Sequence, residues 1–225
     1  MKYDIFFDPD THTYLVDGQE VPSVTTILNY MSDVEYGKVN PAVLEQAARR
    51  GTLVHEYTEL YDYDALPDEI EYEVAPYIQA YMKFIRDYKP NWILIEGQVY
   101  NDVYNYAGTV DRIGDIDGEL AVVDIKTLAS PTKMQKFTVS AQTEAYRRAY
   151  IYMLMDDELI PASPIHRYAL YLGKDGEYNL VDLDEYDKKY GYDSWGMFLI
   201  CLEMYKRIQT LKGLKPIKKG EKNGK

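Results

Sequence analysis

Gly108-Thr109-Val110-Asp111-Arg112-Ile113 and Ala121-Val122-Val123-Asp124-Ile125-Lys126-Thr127 flank Asp115-Ile116-Asp117-Gly118, a turn rich in Asp and Gly. The two apolar runs read as short strands joined by a tight connection, because alternating hydrophobic residues around an Asp-Gly pair are a strong local hairpin signal. Two carboxylates, Asp111 and Asp124, lie near the ends of those strands, and Lys126 follows the second by two residues. Alternation along a strand puts Asp124 and Lys126 on one face and Ile125 on the other. Charges at the apolar centre of a hairpin are costly unless they pair or hold a metal. The lysine either neutralises the acids in an ion pair or leaves them to face a cation, and these residues alone leave both readings open.

Upstream, residues 3–8 and 12–17 read as a hairpin turned at Pro9-Asp10, with His12 on an exposed strand edge. In Pro22-Ser23-Val24-Thr25-Thr26-Ile27-Leu28, Ser23 is placed as a helix N-cap. Its hydroxyl, with those of Thr25 and Thr26, either caps an ordinary helix or greets a phosphate at the helix start. Asn40-Pro41 opens a helix that runs past Gly51 to Tyr61. Gly51 and His55, four apart, share a face, and the missing side chain leaves room in front of the imidazole. A second helix spans residues 68–89 and stops at Lys89-Pro90. Strands follow at 92–100, 106–114 and 119–127, with Glu96 an unusual charge within the first. A helix over 133–155 carries Gln142 and Tyr146 on one face, and Ala141, Ala145 and Ala149 allow it to pack closely. Strands at 166–173 and 177–183 precede a last helix over 184–211.

The 225 residues are enough for one domain with a sizeable core. The hairpin and helical part cover about 1–90 and the strand-rich core about 91–212, with a basic, solvated, disordered tail at 213–225. No apolar run is long enough to span a membrane, and the opening Met1–Asp8 does not read as a signal peptide. The one cysteine, Cys201, excludes an internal disulfide and a cysteine-built zinc or iron–sulfur site, and points to a reducing cytoplasm. A net charge of −12 argues against coating nucleic acid by bulk electrostatics. The eight basic residues from Lys206 to Lys225 face only one acid, Glu221, so the tail could take phosphate. Some of the 24 tyrosines are candidates for stacking platforms.

Taken together, Gly51-Thr52-Leu53-Val54-His55, Gly108-Thr109-Val110-Asp111, Asp124-Ile125-Lys126 and Gln142-Thr143-Glu144-Ala145-Tyr146 resemble, in order and in the elements that carry them, the PD-(D/E)XK nuclease superfamily. The closest likeness is to its RecB-like exonuclease branch. Pro22–Leu28 is also similar to a segment of phage exonucleases and of the mitochondrial genome-maintenance exonuclease. Asp-x-Lys alone is weak, and the four motifs in sequence are specific. The resemblance implies an α/β (α+β) fold with a restriction-endonuclease-like αβββαβ core, its mixed sheet flanked by helices. The N-terminal hairpin and further helices would be additions to that core.

The resemblance further implies that His55, Asp111 and Asp124, with the Ile125 carbonyl, hold Mg²⁺ or Mn²⁺, and that Glu96 stands behind them or serves a second ion. Carboxylate and carbonyl oxygens suit Mg²⁺, and an imidazole in the shell favours Mn²⁺. Lys126 would orient or deprotonate a water and offset charge on the phosphate. Gln142 and Tyr146 would tether the active side chains or the scissile strand. Ser23, Thr25, Thr26, Arg50, Gln142, Tyr146 and Arg147 are the candidate DNA contacts, and Arg49, Lys133, Lys136 and Arg148 supply further bases to a narrow channel. The implied activity is a DNA exonuclease acting in phage or bacterial recombination and repair, alone or with a recombination or single-strand-binding partner. A structure-specific endonuclease uses the same core, and a non-catalytic DNA-end-binding module would normally have lost an acid or the lysine.

Overall fold

The hairpin that decides the sequence reading lies at the centre of a five-stranded sheet. In the computed structural model, which describes residues 3–9, 11–37, 39–128, 130–157, 159 and 163–213, strands β5 (Tyr106–Ile116) and β6 (Glu119–Lys126) are antiparallel neighbours. Asp117 and Gly118 both take positive φ, 54° and 87°, and Gly118 N donates to Asp115 Oδ1 at 2.9 Å. Two consecutive left-handed residues match the right-handed twist of the strands, and this is why Asp-Gly occupies the turn. β4 (Asn91–Asn101) pairs with β5 on the other side. Helix α4 (Lys133–Asp156) then carries the chain over the sheet to β7 (His166–Leu172), which is parallel to β6, and β8 (Tyr178–Asp182) closes the order β4-β5-β6-β7-β8. The sheet is mixed, with β6·β7 its parallel pair.

Alternation along β6 divides the core between the two faces. Val122 turns toward the layer formed by α1 (Val24–Tyr36), α4 and α6 (Ser194–Gly213), where Ile27, Ala141, Ala145 and Phe198 are buried. Ala121, Val123 and Ile125 turn the other way, toward α2 (Pro41–Asp62) and α3 (Ala75–Tyr88), and pack with Val54, Ile78, Tyr81 and Phe84. A separate three-stranded antiparallel sheet, β1 (Ile5–Asp8), β2 (Thr13–Val16) and β3 (Gln19–Val21), packs Tyr14 and Val16 against Tyr100 and Ala107. The described residues thus form a mixed α/β structure with six helices. Among them no helix is long and apolar enough to cross a membrane.

Several elements depart from the sequence expectation. The N-terminal hairpin gains β3, and His12 lies in the β1–β2 turn at φ 54° rather than on a strand edge. Helix α3 begins at Ala75, not at 68. Ile70 and Val74 are sunk into the α2/α3 layer from the preceding connection, so their spacing reports burial and not helical turns. Pro76, which has no amide to donate, fits only in a helix's first turn and sets that start. The last helix is two: α5 (Leu183–Tyr190) ends at Gly191 in the left-handed region (φ 60°), and Asp193 Oδ1 accepts from Gly196 N at 2.8 Å to start α6. Residues 214–225, most of the basic tail, lie outside the described residues, as does Asp10 of the first expected turn.

Candidate metal centre

The candidate site forms where β5 and β6 part. Their ladder ends at Arg112↔Val123, and the same register carried one residue further sets Asp111 opposite Asp124. In place of the next ladder bond, Asp111 Oδ2 accepts from Ile125 N at 2.6 Å. The carboxylate thus stands in for backbone at the fork and leaves its other oxygen, Oδ1, to face His55.

His55 comes from the middle of α2. Asn40 starts that helix by accepting from Ala42 N at 2.9 Å, with Pro41 in the first turn. Val54 and Thr58 are buried against the sheet, which brings the intervening turn over the fork. A Cβ at Gly51 would meet no atom within 4 Å, so the space one turn before the imidazole is open. His55 Nδ1 lies 3.2 Å from Glu96 Oε1 and 3.6 Å from Asp111 Oδ1, and Nε2 lies 3.1 Å from the Ile125 carbonyl. His55, Glu96 and Asp111 each offer a ligand atom within 4.8 Å of the others, a spacing able to hold a metal ion.

Glu96 reaches this point through an unusual backbone. It takes φ 46° within β4, close to a register shift between Trp92 and Leu94. A non-glycine residue held in the left-handed region costs roughly 1–3 kcal/mol, a strain that tends to collect at functional sites. Its carboxylate is fixed from behind by Arg112, a fully buried guanidinium that donates to Glu96 Oε1 at 3.0 Å, to Asp62 Oδ2 at 2.7 Å and to the Asp111 carbonyl at 2.6 Å. Thr58 Oγ1 accepts from the same guanidinium at 3.2 Å. Burial alone would raise the Glu96 pKa, but the hydrogen bond and charge of His55, with Arg112, win and hold it below the usual range. For His55 burial lowers the pKa, and Asp111 and Glu96 together outweigh it, so the imidazole is raised to about 9.

Asp124 and Lys126 occupy the α4 side. The Asp124 side chain is 1% exposed, and Lys126 Nζ approaches its Oδ2 to 2.6 Å. The two form a buried ion pair, and no other donor reaches either Asp124 oxygen. Burial, with Asp111 adding to it, raises Asp124 to about 6 against the opposing pull of Lys126. From α4, Gln142 Nε2 donates to the Tyr146 hydroxyl at 3.2 Å, and burial followed by Asp111 and Asp124 holds Tyr146 well above the ordinary phenol range. Thr132 and Gln135 start α4 with a reciprocal capping box. A Cβ at Gly108 would come within 2.6 Å of Tyr146 Cε1, so glycine there is what lets Tyr146 lie against β5.

Of the other sequence candidates, Arg50 reaches this neighbourhood. With Lys126, Gln142, Leu44, Val139 and Tyr171 it lines a cleft of about 340 Å³ between α1, α2 and α4, and its buried Nε has no hydrogen-bond partner. Ser23 is committed to its own helix, accepting from Thr26 N at 3.0 Å and contacting the hydroxyls of Thr25 and Thr26 at 3.0 and 2.8 Å. It nevertheless bridges to Ala107, next to Gly108, so the α1 start adjoins the Tyr146 side of the site. Arg147 is not brought to the site: it donates to the Ile165 carbonyl at 2.9 Å and to Asp184 at 3.1 Å, and pairs with Glu144.

Of the expected ligands His55, Asp111, Asp124 and Glu96, the structure brings the ligand atoms of His55, Glu96 and Asp111 within 4.8 Å of one another and sets Asp124 beside Lys126. The Ile125 carbonyl, expected to face a metal, lies against His55 Nε2. The sequence reading missed Arg112 and Asp62. Their signal was an arginine inside the apolar β5 run directly after Asp111, and an acid at the end of the His55 helix. No protein-family model and no curated protein matches the chain.

Proposed function

We propose that the chain is a metal-dependent DNA exonuclease of the PD-(D/E)XK type, with β4, β5, β6, α4 and β7 as its restriction-endonuclease-like core. The observation that carries this reading is the convergence of His55, Glu96 and Asp111, whose ligand atoms lie within 4.8 Å of one another, next to the buried Asp124–Lys126 pair. Charged groups gathered in this way are costly unless they pair or hold a cation. The donor set fits that cation. His55 through Nδ1, Glu96 and Asp111 would hold it, with Asp124 and Lys126 beside them. Ligands bound side by side at about 2.1 Å lie about 3 Å apart, close to the 3.2 Å between His55 Nδ1 and Glu96 Oε1. Oxygen ligands with one imidazole suit Mn²⁺ or Mg²⁺.

When bound, the ion supplies a water activated near neutral pH and neutralises phosphate charge. The chain's own groups do the rest. Lys126, two residues beyond Asp124 on the same strand, orients that water and offsets the negative charge growing on the phosphate. It would do so from its place beside Asp124. Tyr146 remains a neutral phenol and donates through its hydroxyl, while Gln142 fixes its direction. Arg50 binds a strand phosphate at the cleft. That cleft has the size of a single small-ligand site, which favours one strand end over continuous duplex.

Purified protein with Mn²⁺ or Mg²⁺ should shorten linear DNA, remain inert in EDTA, and leave a closed circle intact. Cutting of the circle assigns the same core to an endonuclease. Binding without products in every metal assigns it to a DNA-end-binding module.

A further inference from the structure

Away from the metal centre, the start of α4 and the end of α5 build a feature that the chemistry above does not use. Phe137, Tyr186 and Tyr190 form a contiguous aromatic surface, with ring centroids 5.4 Å (Phe137–Tyr186), 5.8 Å (Phe137–Tyr190) and 4.8 Å (Tyr186–Tyr190) apart. Three ammonium groups lie on these rings: Lys133 4.0 Å from the Tyr190 centroid, Lys136 5.6 Å from Tyr186, and Lys189 5.6 Å from Tyr190. In a chain with 37 acids and 25 lysines and arginines, an unneutralised basic patch is a departure. Among the described residues none of these three lysines enters an ion pair, whereas the adjacent Lys188 pairs with Glu185 at 3.2 Å. Tyr190 keeps 43% of its surface exposed, so a ring face remains for a ligand.

We propose that this platform is a second nucleic-acid contact, which holds unpaired strand outside the cleft. The charge selects a polyanion, and the rings select one with flat apolar groups. Single-stranded nucleic acid offers both, its phosphates to the lysines and its bases to the rings. Duplex keeps its bases stacked inside and would gain only the charge term. Lys133 and Gln142 are on one helix about 14 Å apart at about 1.5 Å per residue, but at about 3.6 residues per turn Lys133, Lys136 and Phe137 share the face opposite the cleft-lining Gln135, Thr138 and Gln142. The platform is thus a contact separate from the cleft, and its binding of a strand does not rest on the nuclease reading.

The test is fluorescence anisotropy with labelled dT20 in EDTA, where nothing is cut, on the whole chain and on variants checked for folding by circular dichroism. Lys133→Ala/Lys136→Ala/Lys189→Ala should weaken binding by about tenfold or more, and lower the slope of log K against log salt by about 2, at about 0.7 per lost single-strand phosphate contact. Tyr190→Ala should weaken binding severalfold and leave the salt slope unchanged. The proposal is overturned by a wild type that does not bind dT20, or by a triple variant within twofold of wild type with the same slope. It is equally overturned if blunt duplex or poly-glutamate displaces dT20 as well as unlabelled dT20 does. Platform-dependent binding without any cleavage in metal would count against the nuclease reading alone.

Discussion

Metal binding at this site should expel a proton from His55, and the linkage is large enough to measure. In the metal-free arrangement Nδ1 faces the carboxylates of Glu96 and Asp111, and Nε2 faces the Ile125 carbonyl. All three partners only accept, so both ring nitrogens carry hydrogens and the ring is an imidazolium, in keeping with its pKa of about 9. A ligating nitrogen must give up its hydrogen. At pH 7, two units below that pKa, displacing the proton costs about 3 kcal/mol, or about a hundredfold in apparent affinity. The apparent Kd for Mn²⁺ should therefore fall about tenfold per pH unit from 6.5 to 8.5, while titration calorimetry in buffers of different ionisation enthalpy reads about one proton released per ion. Below pH 6 the slope should steepen, because Asp124, raised to about 6, begins to hold a second proton. His55→Asn should bind more weakly at pH 8.5 and lose the pH dependence above 6.5. A wild-type Kd constant within twofold from pH 6.5 to 8.5, or proton release that persists in His55→Asn, refutes the assignment of His55 as a ligand.

The remaining predictions concern the groups around that proton. Asp124→Asn should abolish cleavage while stabilising the metal-free protein at pH 7. The folded pKa of Asp124, about 6, lies above its ordinary 3.8, so its ionised form costs stability that appears as pH rises through that window, about 3 kcal/mol at pH 7; thermal melts in EDTA at pH 4 and 7 read it. Glu96→Gln should cost more Mn²⁺ affinity than Asp124→Asn, since Glu96 lies within ligand spacing of His55 and Asp111 while Asp124 pairs with Lys126; the reverse order in calorimetry would move the ion to the Nε2 side of the ring. Lys126→Ala should lose cleavage in a gel assay yet melt within a few degrees of wild type. Arg112→Met should destabilise by about 3–5 kcal/mol in urea titrations, because it leaves Asp62 as a buried charge without its cation and takes one of two cationic partners from Glu96. Gly108→Ala, whose Cβ would come within 2.6 Å of Tyr146, should displace that ring and lower the cleavage rate more than it lowers stability, which costs about 1–3 kcal/mol for overpacking.

What the sequence disclosed, and what it withheld, divides along physical lines. The hairpin around Asp117-Gly118, the caps at Ser23 and Asn40 and the arrest at Lys89-Pro90 are local chemistry, and each stands where its residues put it. The faces of α2 and α4 were legible because helical spacing alone sets Gln142 beside Tyr146. The start of α3 was not, since Val74 is buried and Ile70 partly buried from a connection whose spacing imitates a helix. Nor was the partner of His55. Glu96 reaches it only because its backbone turns to φ 46° inside a strand, and strand alternation offers no hint of that conformation. Arg112 could be noticed as a charge in an apolar run, but Asp62 is its partner across 50 residues, and only the packing of α2 on the sheet joins them.

The fork between β5 and β6 explains why the two acids of the hairpin behave differently despite facing one another in register. Asp111 is tied into the sheet, with one oxygen on Ile125 N in place of a ladder bond, so its position is as fixed as the strand itself. Asp124 is held only by burial and by the nearness of Lys126. A rigid acid can set where a cation sits, whereas Asp124 depends on Lys126 to offset the cost of its burial. If the two acids were equally satisfied without metal, Asp111→Asn and Asp124→Asn would shift metal-free stability at pH 7 alike. The fork predicts opposite signs: loss for Asp111→Asn, whose amide oxygen can keep the Ile125 N bond only with its NH2 turned toward the protonated His55 Nδ1, and gain for Asp124→Asn. Chemical denaturation of both variants in EDTA measures the pair directly, and equal shifts would remove the basis for assigning the lysine its separate task.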